Sequence, residues 1–179
     1  ARAKQFLAAT GEYESLEFLA AGGSAAVYRL VRNGKLSALK VFNPQFFSGP
    51  GGDAERRRLV VQKRLIDHSC VSLVQTYQVK EAEGTAFIEM EYIDWPQLTK
   101  KLSEIPDDAI VPLITQLVEA VRYLDTLNIV HRDIKPENIH VSPDFRYLKL
   151  LDLGVAREFD APDNSDVCMT DHGNQRPFL

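Results

Sequence analysis

The sequence predicts an α+β fold in two lobes. Its first part holds five strand-like segments with one helix-like segment after the third, and its second part holds a long amphipathic helix and a small hairpin. The chain has 179 residues, of which 45% are hydrophobic and 26% charged, and this composition is typical of a globular domain. We expect the lobes to cover residues 1–93 and 94–179, with a hinge near Glu91 to Asp94.

The strand-like segments of the first lobe predict one small antiparallel sheet. They alternate or are apolar, they are bounded by turn residues, and they cover residues 13–19, 27–31, 37–42, 71–79 and 85–93. The pair Asn33-Gly34 is the strongest short signal for a hairpin between the second and third strands. A helix over residues 54–66, capped by Asp53, is expected after the third strand.

The second lobe begins with the clearest helix signal in the chain. Its apolar residues recur at spacings of three and four, namely Ile110, Leu113, Ile114, Leu117, Val118, Val121 and Leu124. We expect Asp107 or Asp108 to cap this helix and Pro112 to lie in its first turn, where a missing N–H does no harm. Two short apolar segments around a Ser-Pro-Asp turn, residues 139–141 and 147–151, predict the hairpin that follows.

Charge and hydropathy exclude some classes of function. The net charge of -4 and the pI near 5.6 give no electrostatic basis for binding nucleic acid or an anionic membrane, and no apolar run approaches the length of a membrane span. The cysteines Cys70 and Cys168 are far apart, and no signal-like segment is present, so we expect free thiols in a cytoplasmic protein. The run Arg56-Arg57-Arg58 predicts a solvated helix face, with a phosphate-binding patch as the alternative.

Three motifs share an order and a setting. The segment HRDIKPEN, residues 131–138, lies between the long helix and the hairpin, and Asp152-Leu153-Gly154 follows that hairpin. Earlier, Ser37-Ala38-Leu39-Lys40 lies in the third strand. In protein kinases the catalytic loop is HRDLxxxN, the metal motif is DFG and the strand motif is VAIK. From about Leu16 onwards, the chain resembles the catalytic domain of a eukaryotic-type serine/threonine protein kinase.

The resemblance implies transfer of the γ-phosphoryl group of ATP, with Mg²⁺, to a serine or threonine hydroxyl of a protein substrate. It makes Asp133 the base that accepts the proton of this hydroxyl. Lys135 would reach the transferring phosphate, and Lys40 would place a positive charge on the α/β-phosphates. Asn138 and Asp152 would supply the oxygen ligands that Mg²⁺ prefers.

The resemblance also implies the contacts of the nucleotide. Met90 matches the gatekeeper beside the adenine, the backbone of Glu91 and Ile93 would hydrogen-bond its edge, and Val27 and Ala38 would cover its faces. The loop over the phosphates would comprise Ala20, Ala21, Gly22, Gly23 and Ser24. For the apolar residues, ordinary core packing is an equally natural role.

The glycine-rich loop departs from the pattern of the family, GxGxxGxV. Ala20 and Ala25 occupy the first and third glycine positions, Gly22 holds the second, and Gly23 is extra. Because alanine disfavours positive φ, we expect the loop to cover the phosphates less closely.

Two further positions depart from the pattern. The helix glutamate that would pair with Lys40 is expected at Leu59, so Glu55, one turn earlier, is the candidate partner. A shifted helix, an inactive-like state or pairing of Lys40 with Asp152 alone are the alternatives. His140 takes the place of a leucine-like residue under the adenine, and we expect it to fill space rather than stack on the base.

Regulation and extent complete the expectations. Arg132, beside the catalytic aspartate, predicts an activation-loop switch in which Arg132 would pair with a phosphate, and autophosphorylation at Thr170 is our hypothesis, with Ser165 in the same stretch. No A-P-E motif follows, so we expect a fragment of a longer chain, and a regulatory partner stays unidentified.

A pseudokinase-like binding module is the alternative function. A small-molecule kinase of the aminoglycoside type is disfavoured, because such kinases resemble HGD and lack the lysine at position 135.

Overall fold

The five-stranded antiparallel sheet expected in the first lobe is present. The computed structural model describes residues 3–4, 7, 11–48, 51–82, 84–153 and 156–158. The sheet has the order β1-β2-β3-β5-β4 and contains β1 (Ser15–Ala21), β2 (Ala25–Arg32), β3 (Lys35–Phe42), β4 (Thr76–Ala82) and β5 (Thr85–Glu91).

The predicted hairpin between β2 and β3 turns at Asn33 and Gly34, both with positive φ, at 52° and 69°. Arg32 faces Lys35 across it, so the Asn-Gly pair sets the register of these two strands.

The fourth strand is shorter than the sequence predicted. Residues 71–75 are not part of β4: Val71 and Ser72 lie in a turn, and the backbone of this segment bonds to the other lobe. The N–H of Val74 donates to the carbonyl of Leu150 at 3.0 Å, and the N–H of Leu150 donates to the carbonyl of Ser72 at 2.8 Å. The apolar segment therefore links the lobes instead of extending β4.

Two helices flank the route from β3 to β4: α1 (Gln45–Ser48), which the sequence did not predict, and α2 (Gly52–Arg64). The expected cap by Asp53 is wrong, since Gly51 is the N-cap residue and makes no side-chain capping bond. Asp53 lies in the first turn, where its carboxylate still interacts favourably with the helix dipole.

The long helix of the second lobe is α3 (Asp107–Thr126). Pro106 is its N-cap residue, so neither Asp107 nor Asp108 caps it, and both lie in the first turn. Pro112 lies one turn further in than expected, inside the helix, where it removes one backbone hydrogen bond.

The smaller elements around α3 are 3₁₀ turns and short strands. The 3₁₀ turns are Leu98–Lys100, Leu102–Glu104 and Pro136–Asn138. The strands are β6 (Ile129–Val130), β7 (Ile139–Val141), β8 (Leu148–Leu150) and β9 (Arg157–Glu158).

Each face of the five-stranded sheet has its own core. On the outer face, Leu30, Leu39 and Phe87 pack with Ala3 and Leu7 from the start of the chain, and Leu7 is fully buried. The inner core lies between the sheet and the helices α1 and α2, and contains Phe42, Phe47, Leu59, Val79, Ala86 and Ile88. The position at which a helix glutamate was expected is therefore an apolar core position.

The second lobe packs α3 against the β7–β8 hairpin. Leu113, Ala120 and Leu124 of the helix are buried in this core with Val141 and Leu150. The opposite apolar face of α3 is exposed, and its residues are Ile110, Val111, Ile114, Val118 and Val121. None of the helices in the described part of the chain combines the length and hydropathy that crossing a bilayer requires.

Candidate active site

A cavity of about 220 Å³ lies where the sheet, α2 and the loop before β7 meet. It brings together three residues that the sequence singled out as catalytic or metal-binding, Lys40, Asp133 and Asp152, with the candidate residue Glu55. The remaining residues that line it are Ser24, Phe42, Phe46 and Arg58. A strand, a helix and two loops therefore contribute charged side chains to one space.

The central contact of the cavity joins Lys40 and Asp152. Strand β3 places Lys40 opposite Val27 of β2 and Ile88 of β5. Its Nζ donates to Oδ1 of Asp152 at 2.8 Å and lies 5.3 Å from the centre of the Phe42 ring. Asp152 has a φ of 57°, a left-handed conformation that is uncommon for a residue other than glycine.

Asp133 is held by two side chains of its own loop. The Nδ2 atom of Asn138 donates to both the carbonyl oxygen and the Oδ2 atom of Asp133, each at 2.8 Å. Nζ of Lys135 lies 2.8 Å from the same Oδ2. The 3₁₀ turn Pro136–Asn138 brings the amide back toward Asp133, and Asn138 is buried. One carboxylate is thus fixed by an amide and an ammonium group.

These contacts change the acidity of the loop. The hydrogen bond from Lys135 is the largest effect on Asp133, and with the bond from Asn138 it lowers the pKa of this carboxyl below its usual value. The same hydrogen bond raises the pKa of Lys135. Asp133 is therefore an anion, and Lys135 a cation, throughout the neutral range.

His131 connects the catalytic loop to the segment that carries Asp152. The N–H of Asp133 donates to Nδ1 of the imidazole at 3.3 Å, so the proton is on Nε2, which donates to the carbonyl of Leu151 at 3.0 Å. Burial is the largest effect on the ring and lowers the pKa of His131. The HRD motif contained this histidine, but only the fold shows which backbone it bonds.

The glycine-rich loop does not use the freedom of glycine. Ala20 and Ala21 lie in β1, opposite Val27 and Ala26. The N–H of Gly22 donates to the carbonyl of Ala25 at 2.9 Å, and neither Gly22 nor Gly23 has a positive φ. Ala20 and Ala25 lie in strand positions that any residue adopts, so the poor fit of alanine to positive φ does not matter there. That the loop covers the phosphates less closely stays a prediction.

The residues expected around the adenine lie on one face of the sheet or beside it. Ala38 is opposite Met90 in the register of β3 and β5, and Ala38 and Lys40 are alternate residues of one strand and share a face. Ile93 follows β5 and is half-buried. Nδ1 of His140 lies 2.7 Å from the carbonyl of Trp95, so the imidazole is held by the backbone of a neighbouring segment.

The candidate pair of Lys40 and Glu55 is not formed. Glu55 instead makes an ion pair with Arg58, one turn further along α2, while Lys40 bonds Asp152. The physical reason is proximity, because residues three apart on a helix lie side by side. This matches the alternative in which Asp152 is the partner of Lys40. Glu55 nevertheless lines the same cavity as Lys40.

Three parts of the predicted switch and motifs lie outside the described residues: Gly154, Ser165 and Thr170. Arg132 is described and is exposed, with a φ of 67°. Arg132 thus has a left-handed conformation between His131, which is buried, and Asp133, which lines the cavity.

The family model for the protein kinase domain matches residues 13–172 of this chain. The chain belongs to the protein kinase family. It is 33% identical over 156 residues to the serine/threonine-protein kinase cds1 of Schizosaccharomyces pombe, a match that covers 81% of this chain and 33% of that protein. It is 29% identical to the probable serine/threonine-protein kinase pknA2 of Bifidobacterium longum, over 82% of this chain and 20% of that protein.

A third relative is the mitogen-activated protein kinase pmk-1 of Caenorhabditis elegans, which is 29% identical over 78% of this chain and 38% of its own length. The matches therefore include most of this chain, but the chain spans only between a fifth and two fifths of these relatives. The protein kinase domain is a domain for phosphoryl transfer, which the motifs around Asp133 and Asp152 had indicated.

Proposed function

We propose that this chain is the catalytic part of a serine/threonine protein kinase, which transfers the γ-phosphoryl group of ATP to a hydroxyl of a protein. The observation that supports this most directly is the fixed carboxylate of Asp133, which lines one cavity with Lys40 and Asp152. Phosphoryl transfer requires a positioned acceptor and neutralised phosphates more than covalent chemistry. A cavity with these charges meets both requirements.

Asp133 would orient the hydroxyl of the substrate and accept its proton. Its lowered pKa makes it a weak base, which suits a loose transition state in which the proton leaves the hydroxyl late. Asn138 and Lys135 fix the carboxylate before a substrate arrives, so little orientation is left to the reaction itself. Lys135, whose Nζ lies 2.8 Å from the same carboxylate oxygen, would contact the transferred phosphate.

Asn138 and Asp152 are the residues that fit Mg²⁺. Asn138 uses its amide nitrogen to bond Asp133, which leaves its amide oxygen as the ligand atom. Among the residues that the structure describes, no three His, Cys, Asp or Glu side chains cluster as a metal site. Mg²⁺ needs no such cluster in a kinase, because one or two protein ligands together with substrate phosphates and water complete its shell. Bound there, the ion would neutralise charge on the phosphates.

The nucleotide would lie between the sheet and His140. The loop from Ala20 to Ser24 would cover the phosphates, and Val27 and Ala38 would cover the base. Met90 and the backbone of Glu91 and Ile93 would meet its edge. The bond from His140 to Trp95 supports a role in filling space under the base.

A binding module without turnover is the second candidate. Two observations favour it: Leu59 is buried where the family has a glutamate, and Glu55 is engaged by Arg58. Against it, Lys40, Asp133, Asn138 and Asp152 are all retained.

The test is transfer of phosphate from ATP with Mg²⁺ to a generic basic protein, with the full chain and its Asp133→Asn variant. We expect transfer that falls by at least about 100-fold in the variant, while binding of ATP is kept. The exposed Asp67 provides a matched control, because Asp67→Asn makes the same chemical change away from the cavity. Binding of ATP without any transfer by the wild type would favour the binding module instead.

A further inference from the structure

Arg58 has a donor that no described residue satisfies. It belongs to α2, its side chain is 25% exposed, and it lines the cavity that contains Lys40 and Asp152. Its Nη1 atom bonds Glu55, but its Nε is buried and has no hydrogen-bond partner in the described part of the chain. A buried donor without an acceptor is costly, and in a native protein it calls for an explanation. The Nε–H group of Arg58 can therefore donate one further hydrogen bond.

The neighbouring arginines are arranged differently. Arg56 donates to the carbonyl of Phe47 at 3.2 Å and lies near the carboxylates of Asp53 and Glu81. Arg57 is exposed. Of the three arginines in the run, only Arg58 lines the cavity. The solvated face expected from the sequence thus describes Arg57, and the phosphate-binding alternative fits Arg58.

The charges around Arg58 favour an anion once a divalent cation is bound. Five charged residues line the cavity, namely Lys40, Glu55, Arg58, Asp133 and Asp152. Two are positive and three are negative, so they sum to -1. A bound Mg²⁺ would change this sum to +1. A guanidinium offers several donors in a planar fork, which matches the oxygens of a phosphate.

We propose that Arg58 is a phosphate-binding residue of this cavity, with its Nε and the rest of its fork directed to phosphate oxygens. This proposal rests on the proposed function, because it assumes that ATP binds in this cavity. A phosphate at Arg58 would compete with Glu55 for the guanidinium and leave that carboxylate available to Lys40. The phosphate we infer is that of the nucleotide, which would lie in the cavity that Arg58 lines.

The experiment compares Arg58→Gln with Arg57→Gln, two variants that lose the same charge from adjacent positions of one helix. Calorimetry on the phosphatase-treated full chain measures the binding of adenosine, ATP with Mg²⁺, and tripolyphosphate with Mg²⁺. We expect Arg58→Gln to lower the affinity for ATP and for tripolyphosphate by about 10- to 100-fold and to leave the affinity for adenosine unchanged. Arg57→Gln should change none of them, and Arg58→Lys should restore part of the loss.

Two other outcomes would contradict the proposal. If Arg58→Gln changes no affinity in the phosphatase-treated chain but lowers the activity or the thermal stability that phosphorylation confers, Arg58 binds a phosphorylated side chain and not the nucleotide. If Arg58→Gln lowers the affinities for adenosine, ATP and tripolyphosphate to the same extent, or changes no property that depends on phosphate, Arg58 has a structural role and the proposal is wrong. A wild type that binds tripolyphosphate but no nucleotide would contradict the proposed function, and the tripolyphosphate comparison would still decide the role of Arg58.

Discussion

Lys149 of β8 and Glu91 of β5 form an ion pair between the two lobes, with Nζ 2.7 Å from Oε2. Their side chains are only 13% and 26% exposed. The N–H of Gln75 donates to the same carboxylate at 3.2 Å, and Lys149 also donates to the carbonyl of Leu73 at 3.4 Å. The pair therefore fixes the hinge end of the sheet to the hairpin of the second lobe.

Removal of one partner of this pair should destabilise the protein. For Lys149→Met we expect a loss of about 2–4 kcal/mol in the free energy of unfolding, because Glu91 keeps a poorly solvated charge. The double variant with Glu91→Gln should recover part of this loss, since no charge then stays unpaired. Urea unfolding of the four proteins in this cycle measures the coupling.

The exposed pair of Arg146 and Asp144 is the control for this prediction. Its side chains are 77% and 54% exposed, so Arg146→Gln should change stability by less than about 1 kcal/mol. Equal effects of Lys149→Met and Arg146→Gln would contradict the role we assign to the ion pair between the lobes.

Gly52 is the residue at which α2 passes closest to α1. A Cβ atom at Gly52 would lie 2.5 Å from the carbonyl oxygen of Phe47, whereas one at Gly51 would meet nothing within 4 Å. We expect Gly52→Ala to cost about 1–3 kcal/mol, because backbone atoms have to move apart. Gly51→Ala, at the N-cap, should cost less than about 1 kcal/mol. Thermal unfolding of both variants checks this, and equal midpoints would disprove the close contact.

The pH dependence of stability should report the burial of His131. Burial lowers the pKa of His131 in the folded protein, although Leu151, Asp152 and Asp133 act in the opposite direction. As the pH falls through the unfolded pKa near 6.5, the unfolded state takes up the proton first, so stability is lost toward acid. The slope is at most about 1.4 kcal/mol per pH unit for one histidine.

Urea unfolding between pH 8 and pH 5.5 measures this slope in the wild type and in His131→Gln. The variant should be less stable at pH 8 but should lose less stability on acidification. His140, whose pKa is also lowered chiefly by burial, should contribute in the same direction, so His140→Gln should flatten the slope as well. A slope that is the same in all three proteins would show that neither ring is held neutral by the fold.

Lys135 should control the ionisation of Asp133. The hydrogen bond between them is the largest cause of the lowered pKa of Asp133, so Lys135→Met should raise this pKa toward its usual value. NMR titration of the carboxyl carbon measures the shift directly. Since the folded pKa is the lower one, the pair contributes stability above the unfolded pKa and loses it as the pH falls through the folded pKa.

The control for Lys135 is Lys101, which pairs with Glu104 at 2.7 Å away from the cavity. Lys101→Met should leave the titration of Asp133 unchanged. If Lys135→Met also leaves it unchanged, Asn138 alone accounts for the acidity of Asp133.

Local signals in the sequence predicted much of the fold. The Asn33-Gly34 pair predicted the hairpin of β2 and β3, since these residues adopt the positive φ that the turn requires. The spacing of apolar residues predicted α3, but it could not distinguish the buried Leu113 and Leu124 from the exposed Ile114. Periodicity indicates an apolar face, whereas its coverage depends on what packs against it.

The candidate site shows the same division. Motif order predicted that Lys40, Asp133 and Asp152 would meet, and all three line one cavity. The partner of Glu55 and the direction of Arg58 were not predicted, because both depend on how a helix is rotated against the sheet. The sequence analysis named Glu55 as the candidate partner of Lys40, whereas the structure pairs Glu55 with Arg58, three residues further along the same helix.

The burial of Ala3 and Leu7 against Leu30 and Phe87 separates two kinds of domain boundary. The match to the family model begins at residue 13, yet the packing of the sheet already includes residue 3. A recombinant chain trimmed to the region that the family model matches would expose the apolar residues on the outer face of its sheet. For expression and crystallisation, the folding unit should therefore be chosen by its packing and not by homology.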